Sequence, residues 1–413
     1  MSNNKKEQIL VSVTGQDRPG LTEQVMNILS ESPETQILDM GQANIHSTLA
    51  LGILIRINEK ESGQVMKDLL FKATELNVNI GFSQVKTDEY EAWVKRQGKN
   101  RYILMVIGRG LTAEHIGLAS KVILDQGFNI DNIRRLTGRM SLENAEQKVR
   151  TCFEFSLRGE PRDRQAMQSE FMKLSNKFNI DFSFQKDDMY RRMRRLICFD
   201  MDSTLIQAEC IDELARRHGV YDQVAAITAS AMRGEIDFKE SFTRRVKLLK
   251  GLDVSVMKDI AEHLPITEGC DRLMEVLKKA GYKIAILSGG FTYFGDFLKR
   301  RYGIDYVYAN ELEVGEDGKL TGNYAGEIVD GHRKAELLKL IAQVENVNLE
   351  QTIAVGDGAN DLPMISEAGL GIAFHAKPKV VANAQQSINS IGLDAILYFL
   401  GFKDSYLGED GKL

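Results

Sequence analysis

Asn79-Ile80-Gly81-Phe82-Ser83 and Asn179-Ile180-Asp181-Phe182-Ser183 are near copies of one another, and Phe71 and Phe171 precede them at the same offset. Self-similarity of this kind marks a duplicated unit. Working outward, one copy starts at Ile9-Leu-Val-Ser-Val-Thr-Gly15 and the other at Ile103-Leu-Met-Val-Ile-Gly108. Each start is an apolar run broken by glycine, followed by a helical pattern opening at Leu21 or Leu111. Leu49, Leu51, Ile53, Ile55 and Ile57 alternate with other residues, as do Phe153, Phe155 and Leu157, so each copy has a half-buried strand at its centre. Each copy therefore reads βαββαβ, a ferredoxin-like sheet with helices on one face, over residues 1–86 and 101–186.

Two polar joints separate the units. Residues 87–100 are charged and hold the single tryptophan, Trp93; residues 187–195 carry Arg191, Arg192, Arg194 and Arg195. These arginines lack interleaved aromatics and a basic surround, so a solvated linker is expected in preference to an RNA contact. Beyond them the pattern changes. Leu196-Ile-Cys-Phe-Asp200, Ile284-Ala-Ile-Leu-Ser288 and Thr352-Ile-Ala-Val-Gly356 are short continuous apolar runs, as parallel strands buried on both faces require. Helical stretches such as 270–280 and 333–343 separate them. Residues 196–402 are thus predicted to form a doubly wound α/β domain with a parallel sheet, with residues 207–265 a helical cap over the strand ends and 403–413 a polar tail.

Composition narrows the function. Lys and Arg number 53 against 58 Asp and Glu, a formal charge of −5 that argues against a nucleic-acid partner. Apolar stretches such as Leu49–Ile55 are far short of the roughly 20 residues a membrane helix needs. The first residues, Met1-Ser-Asn-Asn-Lys-Lys, lack the apolar centre of a signal peptide. Cys152, Cys198, Cys210 and Cys270 never approach C-x-x-C spacing, so free thiols in a reducing cytoplasm are expected.

In open α/β sheets ligands gather beyond the carboxyl ends of the strands. Asp200 closes the first strand, with Asp202 two residues on; Ser288 closes the second; Asp357 closes the third within Gly356-Asp-Gly-Ala-Asn-Asp361; and Lys334 opens the helix before it. One rim therefore carries four carboxylates, a hydroxyl, an amide and an ammonium. No P-loop and no complete dinucleotide fingerprint follows any strand. His218, His263, His332 and His375 pair with no suitable nucleophile and are read as structural.

Phe199-Asp-Met-Asp-Ser-Thr-Leu205, Leu287-Ser-Gly-Gly290, Lys334 and Gly356–Asp361, in this order, resemble the haloacid-dehalogenase superfamily of phosphotransferases, specifically its phosphoserine phosphatases. The two N-terminal copies look like ACT domains, which sense amino acids. The resemblance implies Asp200 as nucleophile, Asp202 as general acid and base, and Ser288, Gly289 and Lys334 around the phosphoryl oxygens. It also implies Mg²⁺ held by Asp200, Asp357 and the Asp202 carbonyl. Asp361 orients that site from behind its ligands or binds directly, and Asn360 contacts substrate. An aspartyl carboxylate can attack phosphorus and divide one very slow step in two, provided a cation offsets the repulsion between two anions.

Substrate choice must then come from the cap. Glu209 follows the first motif closely enough to overhang the site and bind a substrate ammonium. Arg245, seven residues after Phe238, lies about 20° round a helix from it, on a face that also holds Phe242. Two readings stand for it: a bidentate partner of a substrate carboxylate, or a snorkelling arginine. Met232 and Phe238 match apolar lid positions of the family; their other reading is plain cap core. In the first copy, Gly15-Gln-Asp17-Arg-Pro-Gly20 turns strand into helix and presents N–H groups suited to an amino-acid carboxylate, or else serves dimer packing. The second copy has only Gly108-Arg-Gly110 there, which puts its ligand binding in doubt. The resulting expectation is a cytoplasmic Mg²⁺-dependent phosphatase acting on phosphoserine, the last step of serine biosynthesis, in a homodimer or higher homo-oligomer. An amino acid such as serine would act at Asp17 and Gly20. The alternatives are phosphothreonine, phosphohomoserine or a phosphosugar as substrate, or an amino-acid-responsive regulator with a vestigial phosphatase half.

Overall fold

The structure, a computed structural model, describes residues 5–95, 100–139 and 149–407. The chain divides into two compact units, Met1–Lys99 and Asn100–Leu413. The first contains β1 (Lys6–Gln16), α1 (Leu21–Ser30), β2 (Gln36–Ile45), β3 (Thr48–Asn58), α2 (Glu59–Glu75) and β4 (Val78–Val85), in an antiparallel sheet of order β2-β3-β1-β4. Ile9, Val11 and Val13 of β1 and the alternating leucines and isoleucines of β3 form its core with Leu21, Val25 and Leu69. The joint after it is helical rather than extended: α3 (Thr87–Lys95) is tied back by the Thr87 hydroxyl donating to Gln8 at 3.2 Å. Residues 96–99 of that joint lie outside the described residues.

The second unit opens with the same arrangement: β5 (Arg101–Arg109), α4 (Ala113–Asp125), β6 (Asn129–Arg135), β7 (Arg150–Arg158), α5 (Arg164–Phe178) and β8 (Ile180–Lys186), in order β6-β7-β5-β8. The two copies do not superimpose as their sequences suggest. Gly15 faces Val78, whereas Gly108 faces Ile180, so residues 77–81 correspond to 179–183. A two-residue slip leaves every strand side chain on its original face, but it moves helix residues. Phe71 is accordingly 66 % exposed, while Leu69 holds the buried place that Phe171 fills in the second copy.

The phosphatase-like part follows as β9 (Leu196–Phe199), the cap helices α6 (Cys210–His218), α7 (Tyr221–Met232), α8 (Phe238–Leu248) and α9 (Ser255–Glu262), then α10 (Cys270–Lys279), β10 (Lys283–Phe291), α11 (Thr292–Tyr302), β11 (Tyr306–Val314), β12 (Leu320–Ala325), α12 (Gly331–Val344), β13 (Thr352–Gly356), α13 (Leu362–Glu367), β14 (Leu370–Phe374), α14 (Pro378–Val381), β15 (Gln386–Ile388) and α15 (Ala395–Phe399). Its sheet has the order β12-β11-β10-β9-β13-β14-β15, parallel except for the β11–β12 hairpin. The three strands read from sequence are its adjacent centre, β10-β9-β13. Among the described residues no helix is long and apolar enough to cross a membrane, and all four cysteines are buried and unpaired.

The second copy is packed on both faces of its sheet. Tyr102, Leu104 and Val106 point to its own helices, while Ile103, Met105, Ile107 and Cys152 join a core that includes Ile391, Ile396, Leu397 and Phe399 of the phosphatase part. At the edge, the Gln386 amide substitutes for a strand: its Oε1 accepts from Phe184 N at 2.9 Å and its Nε2 donates to Phe184 O at 2.8 Å. Buried Asp181 accepts from Asn389 N, Ser390 N and the Ser390 hydroxyl at 2.5–2.9 Å. Arg109 pairs with Glu268, and Arg150 with Asp394.

This packing corrects the solvated reading of the arginine-rich joint for two of its four arginines, while Arg192 and Arg195 stay exposed. Arg191 is fully buried, its Nη2 donating to Glu154 Oε2 at 2.7 Å, and Arg194 is buried with its Nη1 donating to Arg191 O at 2.7 Å. A buried guanidinium is tolerable because Glu154, on the outward face of β7, supplies the opposite charge. The supposed polar tail is likewise partly docked. Asp404 accepts from Arg272 Nη2 at 2.7 Å and from Gly138 N at 2.8 Å, and Leu407 is buried; residues 408–413 lie outside the described residues.

Burial alone would raise the Glu154 pKa, but the Arg191 charge and hydrogen bonds from Arg191 and Arg134 outweigh it and hold the carboxyl below its ordinary range. A lowered carboxyl pKa stabilises the fold above the unfolded value of about 4.3, and that stabilisation disappears as pH falls through the lowered value. Glu154→Gln is expected to lower the urea midpoint near neutral pH by the equivalent of about 3–5 kcal/mol. The variant should also flatten the loss of stability on acidification below about pH 4, measured as midpoint against pH.

Candidate active site

Three neighbouring parallel strands deliver the rim. β9 ends at Phe199 and hands on Asp200, whose N–H donates to Val355 O of β13 at 2.8 Å; β13 ends at Gly356 and hands on Asp357. In β10 the pairing with β11 breaks between Leu287 and Phe291, and Ser288 lies in that break, fully buried, its Oγ accepting from Gly290 N at 2.9 Å. Lys334 sits in the first turn of α12, fully buried among apolar residues of that helix.

The Lys334 ammonium donates to Asp200 Oδ1 and to Asp361 Oδ1, each at 2.7 Å. Burial would lower its pKa, yet the two carboxylates more than compensate and raise it. Asp361 Oδ2 also accepts from Gly358 N at 3.0 Å. Asp200, Asp357 and Asp361 each place a carboxylate oxygen within 4.8 Å of the others. Burial and then the Asp200 charge push Asp357 up to about 8 and Asp361 up to about 6. Three carboxylates share one ammonium, and their oxygen donors fit a hard divalent cation, which would remove the surplus charge.

Asp202 is buried next to this cluster, and its Oδ1 accepts from Cys210 N at the start of α6 at 3.4 Å. Burial, followed by the Glu209 charge, raises its pKa well above the usual carboxylate range. Gly290 admits this closeness: a Cβ there would lie 2.6 Å from Asp202 Oδ2 and 3.1 Å from Ser288 Oγ. Gly356 is required in the same way, since its Cβ would fall 2.4 Å from the Asp361 carboxyl carbon.

The cap contributes unevenly. Glu209, exposed at the start of α6, accepts from the Ser203 hydroxyl at 2.7 Å. Arg245 on α8 is half-buried; its guanidinium donates to Thr228 Oγ1 at 3.5 Å and Ser241 O at 3.4 Å. Burial lowers its pKa, opposed by the charges of Glu209, Asp212 and Asp202. Phe238 stacks on Phe242 at 6.2 Å and reaches the catalytic loop, its Cζ 3.0 Å from where a Gly289 Cβ would stand. Met232 is 67 % exposed at the end of α7, which rules out the cap-core reading of it. Asn360 is half-buried in the turn between Asp357 and Asp361. His218, His263 and His375 hydrogen-bond to backbone carbonyls.

The haloacid dehalogenase-like hydrolase family matches residues 194–369, and the ACT domain family matches residues 7–83. The phosphoserine phosphatase of Streptomyces coelicolor is 37 % identical over 396 residues, which is 95 % of this chain and 92 % of that protein. That of Mycobacterium tuberculosis is 36 % identical over 397 residues, 96 % and 93 % of the two chains. The chain belongs to the phosphoserine phosphatase family. It is a phosphatase of haloacid-dehalogenase type preceded by ACT ferredoxin-like domains. Among solved structures, a haloacid-dehalogenase family hydrolase from Salmonella enterica serovar Typhi aligns with a TM-score of 0.61 at 30 % identity, over 72 % of this chain and 98 % of that one. A probable phosphoserine phosphatase from Vibrio cholerae, unliganded, aligns at 0.57 and 36 %, over 72 % and 86 %.

One feature of this phosphatase site escaped the sequence reading. Asn310 of β11 makes three hydrogen bonds around the Ser288 loop. Its only signal was an asparagine inside an apolar strand, where that residue is disfavoured.

Proposed function

We propose that this chain hydrolyses O-phospho-L-serine to L-serine and phosphate through an aspartyl-phosphate at Asp200. The observation that carries the reading is the Lys334 ammonium shared by Asp200 and Asp361, with the buried Asp202 carboxyl next to them. Lys334 aims the Asp200 carboxylate and offsets its charge. One Asp200 oxygen attacks phosphorus, the bond from phosphorus to the serine oxygen breaks, and Asp202 gives its proton to that leaving oxygen. The Asp202 carboxylate so formed then takes a proton from water as the water oxygen attacks phosphorus, which frees phosphate and regenerates Asp200. Ser288, the Gly289 N–H and Lys334 hold the equatorial oxygens of the transferred phosphoryl group, and Asn360 lines the opening. Mg²⁺ would be held by Asp200, Asp357 and the Asp202 carbonyl, with Asp361 behind them or as a further ligand, and would supply positive charge between carboxylate and phosphate.

On this reading Glu209 takes the substrate ammonium, Arg245 its carboxylate, and Phe238 keeps water from the Gly289 side. The pairing of one carboxylate and one guanidinium on the cap favours an amino-acid ester over a phosphosugar. Asp200→Asn is expected to abolish release of phosphate from phosphoserine while leaving the thermal midpoint within a few degrees; turnover by that variant would refute the nucleophile. Arg245→Ala should lower kcat/KM for phosphoserine by about 100-fold, the equivalent of about 3 kcal/mol for a charged hydrogen bond. Its effect on a phosphate ester lacking an amino-acid moiety should be small, and equal losses on the two substrates would remove the carboxylate clamp.

The effector reading applies to the first copy. Gly20 precedes α1 with φ 83° and no side chain caps the helix, while Asp17 is held by Asn44 Nδ2 at 2.5 Å. In the second copy the corresponding loop is engaged: Arg109 pairs with Glu268, and Thr112 N donates to His115 at 3.2 Å. We place an amino acid such as L-serine at Asp17 and Gly20 only, in a cytoplasmic homodimer or higher homo-oligomer. Calorimetric titration of the full chain with L-serine, under conditions in which substrate turnover is blocked by Asp200→Asn, should show heat that Gly20→Val abolishes. Heat unchanged by Gly20→Val would locate serine elsewhere.

A further inference from the structure

Asn310 is 2 % exposed and stands opposite Phe291 where the β10–β11 ladder resumes. The ladder is regular through Leu287 and Tyr308, then skips Ser288, Gly289 and Gly290. A bulge of this kind re-aims a side chain, here the Ser288 hydroxyl, but it also strips backbone carbonyls of their strand partners. Asn310 replaces those partners. Its Nδ2 donates to Gly289 O at 2.8 Å and Gly290 O at 3.2 Å. Its Oδ1 accepts from Val329 N at 2.8 Å. Val329 lies two residues before Gly331, where α12 begins, and α12 carries Lys334.

One planar amide therefore ties the loop bearing Ser288 to the segment that launches Lys334. We propose that Asn310 is a positioning residue for phosphoryl transfer, setting the spacing between the Ser288–Gly290 loop and Lys334 without touching substrate. Only an amide of this length supplies two donors to carbonyls on one side and an acceptor to an N–H on the other. Aspartate keeps the acceptor and the shape but turns a negative oxygen toward two carbonyls; leucine loses all three bonds. Small displacements matter because transition-state stabilisation depends on donors already placed where charge develops. The inference rests on the phosphatase reading above, which turnover of phosphoserine by the unaltered chain tests separately.

Asn310→Asp and Asn310→Ala, in the full chain with Mg²⁺, would be compared with Leu277→Ala, a core truncation in α10 that lies outside the catalytic machinery. Thermal midpoint, kcat and KM for phosphoserine would be measured for each. Asn310→Asp should lose at least about tenfold in kcat with KM within about threefold of the unaltered chain, since the cap groups that take the amino-acid end are untouched. Leu277→Ala, destabilised at least as much, should keep kcat within about twofold. The proposal is overturned if Asn310→Asp retains full kcat, or if Leu277→Ala loses kcat in the same proportion. It is equally overturned if neither position-310 variant folds, because the amide would then serve the fold rather than the loop. An inactive unaltered chain would instead refute the phosphatase reading.

Discussion

A lysine with no solvent exposure at all is the constraint on which the catalytic half depends. Burying an ammonium without partners is prohibitive, and burying three carboxylates together is worse. Lys334 and the pair Asp200 and Asp361 make each other tolerable at 2.7 Å, brought together from the first turn of α12, the loop after β9 and the loop after β13. The parallel centre β10-β9-β13 is what brings those loops to one edge. The cluster is still acidic after Lys334 is counted, and its closely spaced oxygens suit a hard divalent cation.

The two ferredoxin-like copies have diverged in what their open sheet face meets. In the first, the face opposite the helices carries Leu10, Ser12, Thr14, Ala50 and Gly52, none of them buried. The equivalent β5 residues are Ile103, Met105 and Ile107, and all three are buried against the phosphatase part. Burying three such side chains contributes on the order of 1.5–3 kcal/mol each. The second copy has thus become a wall of the catalytic unit, while the first retains an uncapped helix end at Gly20. Gln386 in β15 and Asp181 in β8 join the second copy to the phosphatase sheet by hydrogen bonds.

Much of the architecture was legible along the chain because periodicity reports burial. Alternation at Leu49–Ile57 marked a half-buried strand, and continuous apolar runs marked strands covered on both sides. The rim groups were legible for a different reason: Asp200, Ser288 and Asp357 follow apolar runs directly, so their places at strand ends could be read locally. The register between the copies could not. The matching pentapeptides at 79 and 179 align one way, and the ladders align them two residues apart. A period of two hides such a slip in strands, and only the helix positions Leu69 and Phe171 expose it.

By itself, the sequence determined the element types, the duplication and which acidic, hydroxyl and ammonium groups stand at the rim, since all of these follow from local spacing. Tertiary structure alone decided that Arg191 and Arg194 are buried, that Met232 is exposed, that Asp404 is docked and that Asn310 holds the Ser288 loop. Each of those outcomes depends on a partner distant along the chain, such as Glu154 for Arg191 or Gly289 for Asn310. A charge or an amide has no preferred surroundings until that partner's position is fixed, because the desolvation it suffers and the bonds that offset it arise together only in the folded state.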